Sequence, residues 1–474
     1  MIQFLLDDEL RQVDGLAPET SLLDYLRTQL GRTGTKEGCA SGDCGACTLV
    51  LAEPDGEGLR YRAVNACITP LGSLHGRQLL TVESLAEGER LHPVQQAMVD
   101  CHGAQCGFCT PGIVMSLFAW RHAACAHDRG SALTALSGNL CRCTGYRPIL
   151  EAARRIAGDT HGDRFSDAER ATAERLCALP AGASLDDGEQ HAWLPTTLEE
   201  LDTLLMNYPQ ARLVAGATDL ALEATQALKR FPQLIHLERV AELRRLEEHP
   251  DHLLIGAARP YADCLEALHA FPGVPELLER LGSLQIRQRG TLGGNIANAS
   301  PIGDMPPVLL ALDARLRLRR TGQVREVPID GFFTGYRQSV LQPGEYIEAI
   351  VIPRLREGQL FRVDKVSKRR DDDISAVCLA LRLDFDDQGL MRDARLACGG
   401  MAATPLRGRR SEAALSGRAF DAAAVAAAQA ALAEDFQPID DLRASAAYRL
   451  KVAQNLLQRA LVEYTATPAE VRHA

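Results

Sequence analysis

Cysteine spacing is the first feature of this sequence that could do chemistry. Cys39, Cys44 and Cys47 follow the pattern C-x4-C-x2-C, and Cys67 lies further along the chain. Three thiolates from one short loop can converge on a small cluster, and this is the plant-type ligand spacing of a [2Fe–2S] cluster. Glycines within the loop let the backbone curl and point N–H groups at the sulfurs. A structural zinc site, the alternative, prefers paired C-x2-C motifs, so the spacing favours iron and sulfide.

A second cysteine group has a different spacing. Cys106 and Cys109 form C-x2-C, and Cys141 and Cys143 form C-x-C. Taken alone, the pattern is compatible with an iron–sulfur cluster, a zinc site or a thioredoxin-like redox pair. No strand is predicted before it, as the thioredoxin interpretation requires. Helices are predicted to start just after each pair, where their N-termini would offset the negative charge of a cluster. Spacing alone leaves zinc and iron–sulfur open.

Composition and charge narrow the class of protein. The chain has 474 residues, 46% of them hydrophobic, and a formal net charge of -10, which argues against nucleic acid or an anionic membrane as the main partner. We find no secretory signal at the N-terminus and no apolar run long enough to span a bilayer, so we expect a cytoplasmic protein with no membrane contact. The cytoplasm keeps thiols reduced, so the clustering of many of the fourteen cysteines near the N-terminus predicts metal binding rather than disulfides.

The length exceeds what one hydrophobic core usually supports, so we predict an α+β multidomain protein. Strand-like alternation dominates the N-terminal region, and helical periodicity replaces it from Pro93 onward. A polar stretch without strong periodicity predicts a linker with at most one short helix. The predicted boundaries are 1–88 for a first cluster domain, 89–157 for a helical cluster domain, 158–184 for the linker, 185–357 for a nucleotide-binding domain and 358–474 for a C-terminal α+β domain.

Two glycine-rich segments in the middle region are candidates for a nucleotide site. The chain contains no G-x-G-x-x-G after a predicted strand and no Walker A loop. The segments VAGATDL, from Val214, and GTLGGNIANASPIGD, from Gly290, remain. Consecutive amides in such segments can form an anion-binding nest for a pyrophosphate. A Gly-Gly pair is more often a simple turn, so these segments alone are a weak prediction.

Three motifs carry a family resemblance. CASGDCGACTLVL, AQCGFCTPG and GNLCRCTGYRPI resemble the iron–sulfur region of molybdenum hydroxylases of the xanthine dehydrogenase family. The resemblance implies a β-grasp ferredoxin-like [2Fe–2S] domain, a four-helix [2Fe–2S] domain, a vanillyl-alcohol-oxidase-type FAD domain and an α+β C-terminal flavoprotein domain. It makes all eight cysteines of the two groups cluster ligands, with Gln105 next to Cys106 as in the family. The remaining cysteines match no ligand position, and we expect ordinary thiols at 101, 125, 177, 264, 378 and 398.

The resemblance also assigns FAD contacts to the glycine-rich segments. It places the diphosphate and ribose against 213–220 and 291–295, and adds three separate positions further along the chain. Leu281 stands where animal members of the family carry an aromatic residue, and the run Lys368–Asp373 resembles a mobile loop near the flavin or, on charge pattern alone, a solvated turn. The predicted FAD residues are Leu213, Val214, Ala215, Gly216, Ala217, Thr218, Asp219, Leu220, Thr291, Leu292, Gly293, Gly294, Asn295, Asp304, Ile347 and Lys365.

The function implied by the resemblance is electron transfer. Electrons would pass from a molybdopterin centre on a large partner subunit, through the second and then the first cluster, to FAD and on to NAD, as hypoxanthine and xanthine are oxidised to urate. We expect no catalytic side chain in this chain and a heterotetramer of two small and two large subunits. The equivalent subunit of an aldehyde or N-heterocycle hydroxylase is the alternative enzyme. An iron–sulfur redox sensor or a zinc-stapled interaction protein is the non-enzymatic alternative.

Overall fold

The computed structural model describes residues 1–159 and 161–466. Its contacts divide the chain into two units, the first formed by Met1–Glu242 with Gly282–Gly290, and the second by Leu243–Leu281 with the described residues from Thr291 onward. Residue 160 of the predicted linker and residues 467–474 of the predicted C-terminal domain lie outside the described residues. Within the described residues, no helix combines the length and apolar character that crossing a bilayer requires.

The first unit begins with a five-stranded sheet in the order β2-β1-β5-β3-β4, in which only β1 and β5 run parallel. Successive side chains of a strand point to opposite faces, so β3 contributes to two cores. Leu49 and Leu51 pack with Leu22 on one face, and Val50 packs against the helical domain on the other. The strands are β1 (Ile2–Leu6), β2 (Glu9–Val13), β3 (Thr48–Asp55), β4 (Gly58–Asn65) and β5 (Gln78–Leu80), with a short helix at Leu22–Asp24 that continues as a wider turn to Gln29.

Four helices follow, as predicted, and proline lies in the first turn of three of them, where its missing N–H costs nothing. The second helix is buried almost all round and forms the centre of the domain. The predicted linker contains a fifth helix of 14 residues, whose Phe165 packs edge-on against Phe118 with ring centroids 4.9 Å apart. The helices span Pro93–Asp100, Thr110–Arg121, Arg129–Leu136, Arg147–Gly158 and Arg164–Cys177.

A four-stranded sheet in the order β6-β7-β9-β8 completes the first unit, with β7, β9 and β8 parallel. The chain leaves this sheet at Glu242 and returns to the first unit only for 282–290. The strands are β6 (Ala183–Asp186), β7 (His191–Leu194), β8 (Arg212–Val214) and β9 (Gln233–His236), and the helices are Leu198–Asn207, Leu220–Thr225 and Leu284–Arg287.

The second unit contains two larger antiparallel sheets, ordered β10-β11-β16-β12-β13 and β17-β18-β19-β20. Each packs its apolar face against helices to form a core. The strands are β10 (Leu246–Glu248), β11 (His252–Gly256), β12 (Arg315–Arg320), β13 (Gln323–Pro328), β14 (Phe333–Gly335), β15 (Gln338–Ser339), β16 (Tyr346–Pro353), β17 (Leu360–Val366), β18 (Val377–Phe385), β19 (Met391–Gly399) and β20 (Leu406–Arg407). The helices are Leu265–Leu268, Val274–Glu279, Leu292–Ala297, Met305–Ala311, Arg409–Leu415, Ala422–Asp435 and Ala446–Thr465.

Candidate cluster and flavin sites

The first cysteine set lies in one irregular loop and in the short helical turn that follows β4. Cys39, Cys44 and Cys47 precede β3, and Cys67 sits in the turn. The Sγ atoms of Cys47 and Cys67 are 3.3 Å apart, and the Cys39 thiol is within hydrogen-bonding reach of Cys44 and Cys67. The structure therefore brings together the four predicted ligands of the first set, all as free thiols.

Hydrogen bonds prepare one sulfur of this set to carry negative charge. The backbone N–H groups of Ser41 and Cys44 both donate to Cys39 Sγ over 3.4 Å. The neighbouring thiols of Cys44 and Cys67 also donate to this sulfur and, with Ser41, hold the pKa of Cys39 well below its usual range. The thiolate is the form that ligates a metal, and N–H donors around it tune the cluster that it holds.

The second cysteine set joins the loops that precede the second and fourth helices of the helical domain. The Cys109 thiol is within reach of Cys141, and the Cys143 thiol is within reach of Cys106. Cys141 is buried, whereas Cys106 and Cys143 are exposed. The structure therefore also brings the second set together, with two of its sulfurs at the surface.

Thr144 and Tyr146 hydrogen-bond to Cys141, the buried cysteine of the second set. The Thr144 hydroxyl lies 3.1 Å from Cys141 Sγ, and the Thr144 backbone N–H donates to the same sulfur over 3.5 Å. Burial alone would raise the pKa of Cys141, but these contacts lower it. The Cys141 backbone N–H donates to the Tyr146 hydroxyl over 2.8 Å. Burial and the neighbouring thiols instead raise the pKa of Cys109 to about 12.

A direct hydrogen bond joins the loops of the two sets. The backbone N–H of Leu140, which precedes Cys141, donates to the carbonyl oxygen of Cys44 over 3.0 Å. The Asn139 side chain donates to the carbonyl oxygen of Gly45 over 3.1 Å. A Cβ atom at Gly45 would lie 2.1 Å from the Gly138 carbonyl oxygen, so glycine is required for this approach. The two ligand loops are thus in backbone contact.

Gln285 is a residue of this junction that sequence reasoning missed. It is 1% exposed, and its amide nitrogen lies 3.1 Å from Ser116 Oγ, 3.1 Å from Asn139 Oδ1 and 3.3 Å from Thr48 Oγ1. The helix that carries it is far from both cysteine groups in the sequence but belongs to the first unit. No local pattern marks Gln285, because its partners come from three separate segments.

The predicted FAD segment of the first unit, 213–220, runs from β8 into helix Leu220–Thr225. Ala217 has a positive φ of 64°, and a Cβ atom at Gly216 would lie 2.0 Å from the Arg289 carbonyl oxygen. A small recess in this unit is lined by Cys67 together with Val214 and Ala217. The first cysteine set and this FAD segment therefore border the same recess.

The remaining predicted FAD residues lie in the second unit. The Thr291 hydroxyl caps helix Leu292–Ala297, and a Cβ atom at Gly293 would lie 2.5 Å from Ala257. Among the described residues, no group hydrogen-bonds to the buried Oδ1 of Asn295 or to the buried Tyr261 hydroxyl. Two buried polar atoms without a described partner fit a polar cofactor such as the FAD predicted here.

Asp304 and Lys365 form a buried ion pair in the second unit. The Lys365 ammonium donates to one Asp304 oxygen over 2.6 Å, and the Ser375 hydroxyl donates to the other. Ile347, in β16, is 4% exposed and packs in the apolar core, with Leu281 at the edge of the same core. In the charged run Lys368–Asp373, the Lys368 ammonium donates to the Leu442 carbonyl oxygen, and the Arg369 N–H donates to the Asp373 carboxylate within the run.

A third group of potential metal ligands, which the sequence analysis did not identify, lies in the helical domain. His92, His122 and Asp163 place their ligand atoms within 4.8 Å of one another. His92 Nδ1 accepts from the Val94 N–H, so its neutral ring carries a proton on Nε2, which donates to Asp163 over 2.9 Å. His122 Nε2 lies 3.1 Å from the same oxygen, and the Arg121 cation is 3.5 Å away. With ring N–H groups and the Arg121 cation directed at Asp163, the group is better described as a buried hydrogen-bond network than as a metal site.

Comparisons with known families match four successive segments of the chain. Residues 4–72 match the 2Fe-2S iron-sulfur cluster binding domain, and residues 81–154 match the [2Fe-2S] binding domain. Residues 188–355 match the FAD binding domain in molybdopterin dehydrogenase, and residues 362–464 match the CO dehydrogenase flavoprotein C-terminal domain. The predicted fold class and the predicted pair of [2Fe–2S] clusters with FAD are confirmed, and the zinc alternative is wrong.

Relatives and solved structures agree with these matches. Xanthine dehydrogenase/oxidase of Mus musculus is 36% identical over 438 residues, covering 81% of this chain and 33% of the relative. Xanthine dehydrogenase of Emericella nidulans is 33% identical over 496 residues, covering 92% of this chain and 36% of the relative. The chain thus spans about a third of the length of these curated relatives.

Among solved structures, a carbon monoxide dehydrogenase from Hydrogenophaga pseudoflava matches with a TM-score of 0.54 and 30% identity. The match covers 56% of this chain and 94% of that one. Quinoline 2-oxidoreductase from Pseudomonas putida 86 matches with a TM-score of 0.52 and 26% identity, over 57% of this chain and 94% of that one. The two joined cysteine sites, the flavin-type domain and these relatives together assign the chain to the molybdenum hydroxylase family, of which it is an iron–sulfur and FAD portion.

Proposed function

We propose that this chain is the iron–sulfur/FAD subunit of a xanthine dehydrogenase. In this proposal it carries electrons from a molybdopterin centre on a larger partner subunit to NAD, while hypoxanthine and xanthine are oxidised to urate. The identity of 33–36% to xanthine dehydrogenases over more than four fifths of the chain supports this choice. The assembly proposed is a heterotetramer of two small and two large subunits.

The observation that carries the proposal is the hydrogen bond between the two cysteine loops. The Leu140 N–H donates to the Cys44 carbonyl oxygen over 3.0 Å. Leu140 precedes Cys141 of the second set, and Cys44 belongs to the first set. This contact gives electrons a short route from the second cluster to the first. From there, the recess shared by Cys67 and Val214 leads to the proposed diphosphate segment. These neighbours support the proposed order of second cluster, first cluster and FAD.

The exposed side of the second set is where a partner would deliver electrons. Cys106 and Cys143 are at the surface, and Phe108, Leu140 and Tyr146 nearby are 47%, 48% and 38% exposed. Apolar side chains grouped at a surface mark an interaction site. A partner seated there would exclude water and bring its donor close to the exposed sulfurs.

FAD, when bound, converts the one-electron transfers of the clusters into the two-electron transfer that NAD requires. We propose that segments 213–220 and 291–295 hold its diphosphate and ribose, with Asp304, Ile347 and Lys365 as further contacts. Backbone N–H groups in these segments would bind the phosphates. Asp304 fixes the Lys365 ammonium through their buried pair.

The substrate test uses the purified complex without oxygen. Hypoxanthine, xanthine, an aldehyde and quinoline are each added, and flavin reduction is followed by absorbance, with NADH formation measured after NAD is added. We expect hypoxanthine and xanthine to reduce the flavin. A complex that responds only to quinoline or the aldehyde would refute the xanthine proposal and support the N-heterocycle or aldehyde alternative.

Cys106→Ser provides the matched test of the route. It should remove the second cluster and abolish flavin reduction by hypoxanthine, while NADH still reduces the flavin directly. An unchanged rate with hypoxanthine would show that electrons do not pass through the second set.

Asp304→Ala tests the proposed flavin contacts. We expect FAD to be lost on gel filtration while iron content is unchanged, because Lys365 loses its partner and Ser375 its acceptor. Asp313→Ala, which removes a carboxylate that pairs with arginines of the same unit, is the control. Equal FAD retention in both variants would count against the site.

A further inference from the structure

Gln285 is the centre of a buried hydrogen-bond network between the two cysteine loops. Its amide nitrogen lies 3.1 Å from Ser116 Oγ, 3.1 Å from Asn139 Oδ1 and 3.3 Å from Thr48 Oγ1. Thr48 begins β3, Ser116 lies in the second helix of the helical domain, and Asn139 lies in the loop before the C-x-C pair of the second set. All four side chains are buried. One side chain therefore connects three separate elements of the first unit.

A backbone carbonyl oxygen of the first cysteine loop sets the direction of the hydrogen bonds in this network. The Gly45 carbonyl oxygen can only accept, and it accepts from the Asn139 amide over 3.1 Å and from the Thr48 hydroxyl over 2.8 Å. The Asn139 amide nitrogen thus faces Gly45, and its oxygen accepts from the Ser116 hydroxyl over 2.6 Å. Each hydroxyl has a single proton and has already donated it. The three oxygens around Gln285 can therefore only accept, and its amide nitrogen is their common donor.

The segment that carries Gln285 also approaches each cysteine loop closely. A Cβ atom at Gly42, within the first loop, would lie 3.2 Å from the Ile286 side chain. A Cβ atom at Gly138, just before the C-x-C pair, would lie 2.4 Å from Gln285 Oε1. This oxygen is buried and has no hydrogen-bond partner among the described residues. The hydrogen bonds of the Gln285 side chain are thus all made by its nitrogen, at the junction of the two loops.

The network reaches the cluster ligands through adjacent residues. Asn139 is followed by Leu140 and then by Cys141, and Gly45 follows Cys44. The hydrogen bond from Asn139 to Gly45 and the one from the Leu140 N–H to the Cys44 carbonyl oxygen, over 3.0 Å, are therefore successive contacts between the same two segments. A side chain that orients Asn139 thus also fixes Cys44 relative to Cys141.

We propose that Gln285 is a positioning residue that fixes the separation of the two [2Fe–2S] clusters. Its amide holds the Asn139 side chain and the start of β3, and through them the two ligand loops, in one arrangement. An electron that passes from the second cluster to the first then crosses a constant gap. The transfer oxidises the second cluster and reduces the first, and no proton or bond is exchanged. The proposal rests on the proposed electron route between the clusters, but not on the substrate, the partner subunit or NAD.

The test measures the magnetic interaction between the clusters in purified, cofactor-loaded protein. Dithionite reduces both clusters, each reduced cluster is paramagnetic, and the dipolar interaction between two such centres falls with the cube of their separation. In the wild type we expect the EPR signal of each cluster to split or broaden once the other is reduced as well. In Gln285→Met, which keeps the length of the side chain but removes the donor, this interaction should weaken while both clusters are retained. A wild-type interaction in the variant, or no interaction in the wild type, would overturn the proposal.

Two further variants separate positioning from folding. Gln288→Met is the matched control, because Gln288 follows the same short helix and its buried side-chain oxygen has no described hydrogen-bond partner. It should keep the wild-type interaction, and an equal weakening there would contradict the assignment to Gln285. If Gln285→Met does not retain both clusters, the same measurement on Gln285→Leu decides. If neither variant retains both, Gln285 is needed for folding and the positioning proposal fails.

This test is independent of the xanthine dehydrogenase proposal. The measurement adds no purine, NAD or partner subunit, so a complex that oxidises another substrate would leave its outcome unchanged. Iron content and Tm, measured on the same samples, report the structural cost of each substitution. A lower Tm with an unchanged magnetic interaction would show that Gln285 stabilises the fold without setting the separation of the clusters.

Discussion

The two cysteine sets differ in how much of each is open to solvent. In the first set, Cys47 and Cys67 are 1% and 3% exposed, and Cys39 and Cys44 are half-buried. In the second set, Cys106 and Cys143 are exposed, and exposed apolar side chains follow or precede the ligands in sequence at Phe108 and Leu140. A buried cluster exchanges electrons mainly with neighbours inside the chain, whereas an exposed one can meet a donor from outside. The difference in burial therefore supports the proposed direction of flow.

The largest expected effect comes from a methyl group at the junction of the two loops. Gly45→Ala would place a Cβ atom 2.1 Å from a backbone oxygen at a φ of 66°, and backbone atoms cannot rotate away. Overpacking of this kind costs about 1–3 kcal/mol or more, and we expect loss of the first cluster. Gly107→Ala in the second loop is the control, because no atom lies within 4 Å and only the φ of 83° is strained. Iron content and Tm measure both, and equal losses would contradict the packing argument.

The second largest expected effect is a difference between the two clusters in how fast they lose iron. A chelator with a mild oxidant should remove iron in two phases, the second cluster first, because its sulfurs at Cys106 and Cys143 are exposed. EPR of samples taken after the first phase should retain the signal of the first cluster only. If the proposed partner subunit covers the second set, the same experiment on the complex should slow the first phase. Loss of both clusters in a single phase would contradict the inferred difference in solvent exposure between the two cysteine sets.

Acid should lower the unfolding free energy of the helical domain, because Asp163 becomes protonated. Burial alone would raise the pKa of Asp163, but hydrogen bonds from His122 and His92 lower it well below its usual range. A carboxylate with a lowered pKa stabilises the fold above its unfolded pKa of about 4, and this contribution is lost as the pH falls further. Asp163→Asn should cost about 1–3 kcal/mol of unfolding free energy at pH 7 and reduce the additional loss below pH 4.

Asp128→Asn is the matched control for Asp163→Asn. Both aspartates cap helices, and asparagine caps nearly as well, but Asp128 has no histidine partner. Unfolding free energy measured with denaturant from pH 3 to 7 distinguishes the two. The same pH profile in both variants would show that the histidine contacts are not responsible.

The smallest expected effect concerns Tyr146. Tyr146→Phe removes the acceptor of the Cys141 N–H and should cost about 1 kcal/mol. It should also shift the potential of the second cluster and leave the first unchanged, as EPR titration can measure. Tyr61→Phe, whose hydroxyl donates to the Phe165 carbonyl oxygen away from any cysteine, is the control. A shift of both clusters would indicate a general change of structure.

Local patterns predicted much of the fold. Helical periodicity is predicted from Pro93 onward, and the first helix of the helical domain begins there. The second and fourth helices begin at Thr110 and Arg147, just after the two cysteine pairs, as predicted. The stretch predicted as a linker has weak periodicity, yet it contains helix Arg164–Cys177. Its Phe165 gains burial from Phe118, a contact that no local periodicity encodes.

The sequence by itself determined the two cluster domains, the flavin domain and the family, because ligand spacing and motif residues lie close together along the chain. Tertiary structure alone brought Gln285 between the two cysteine loops and paired Asp304 with Lys365. These groups come from distant segments, and each meets its partners only after the chain has folded. Burial then determines their chemistry, because hydrogen bonds and charge–charge interactions are stronger where water is excluded.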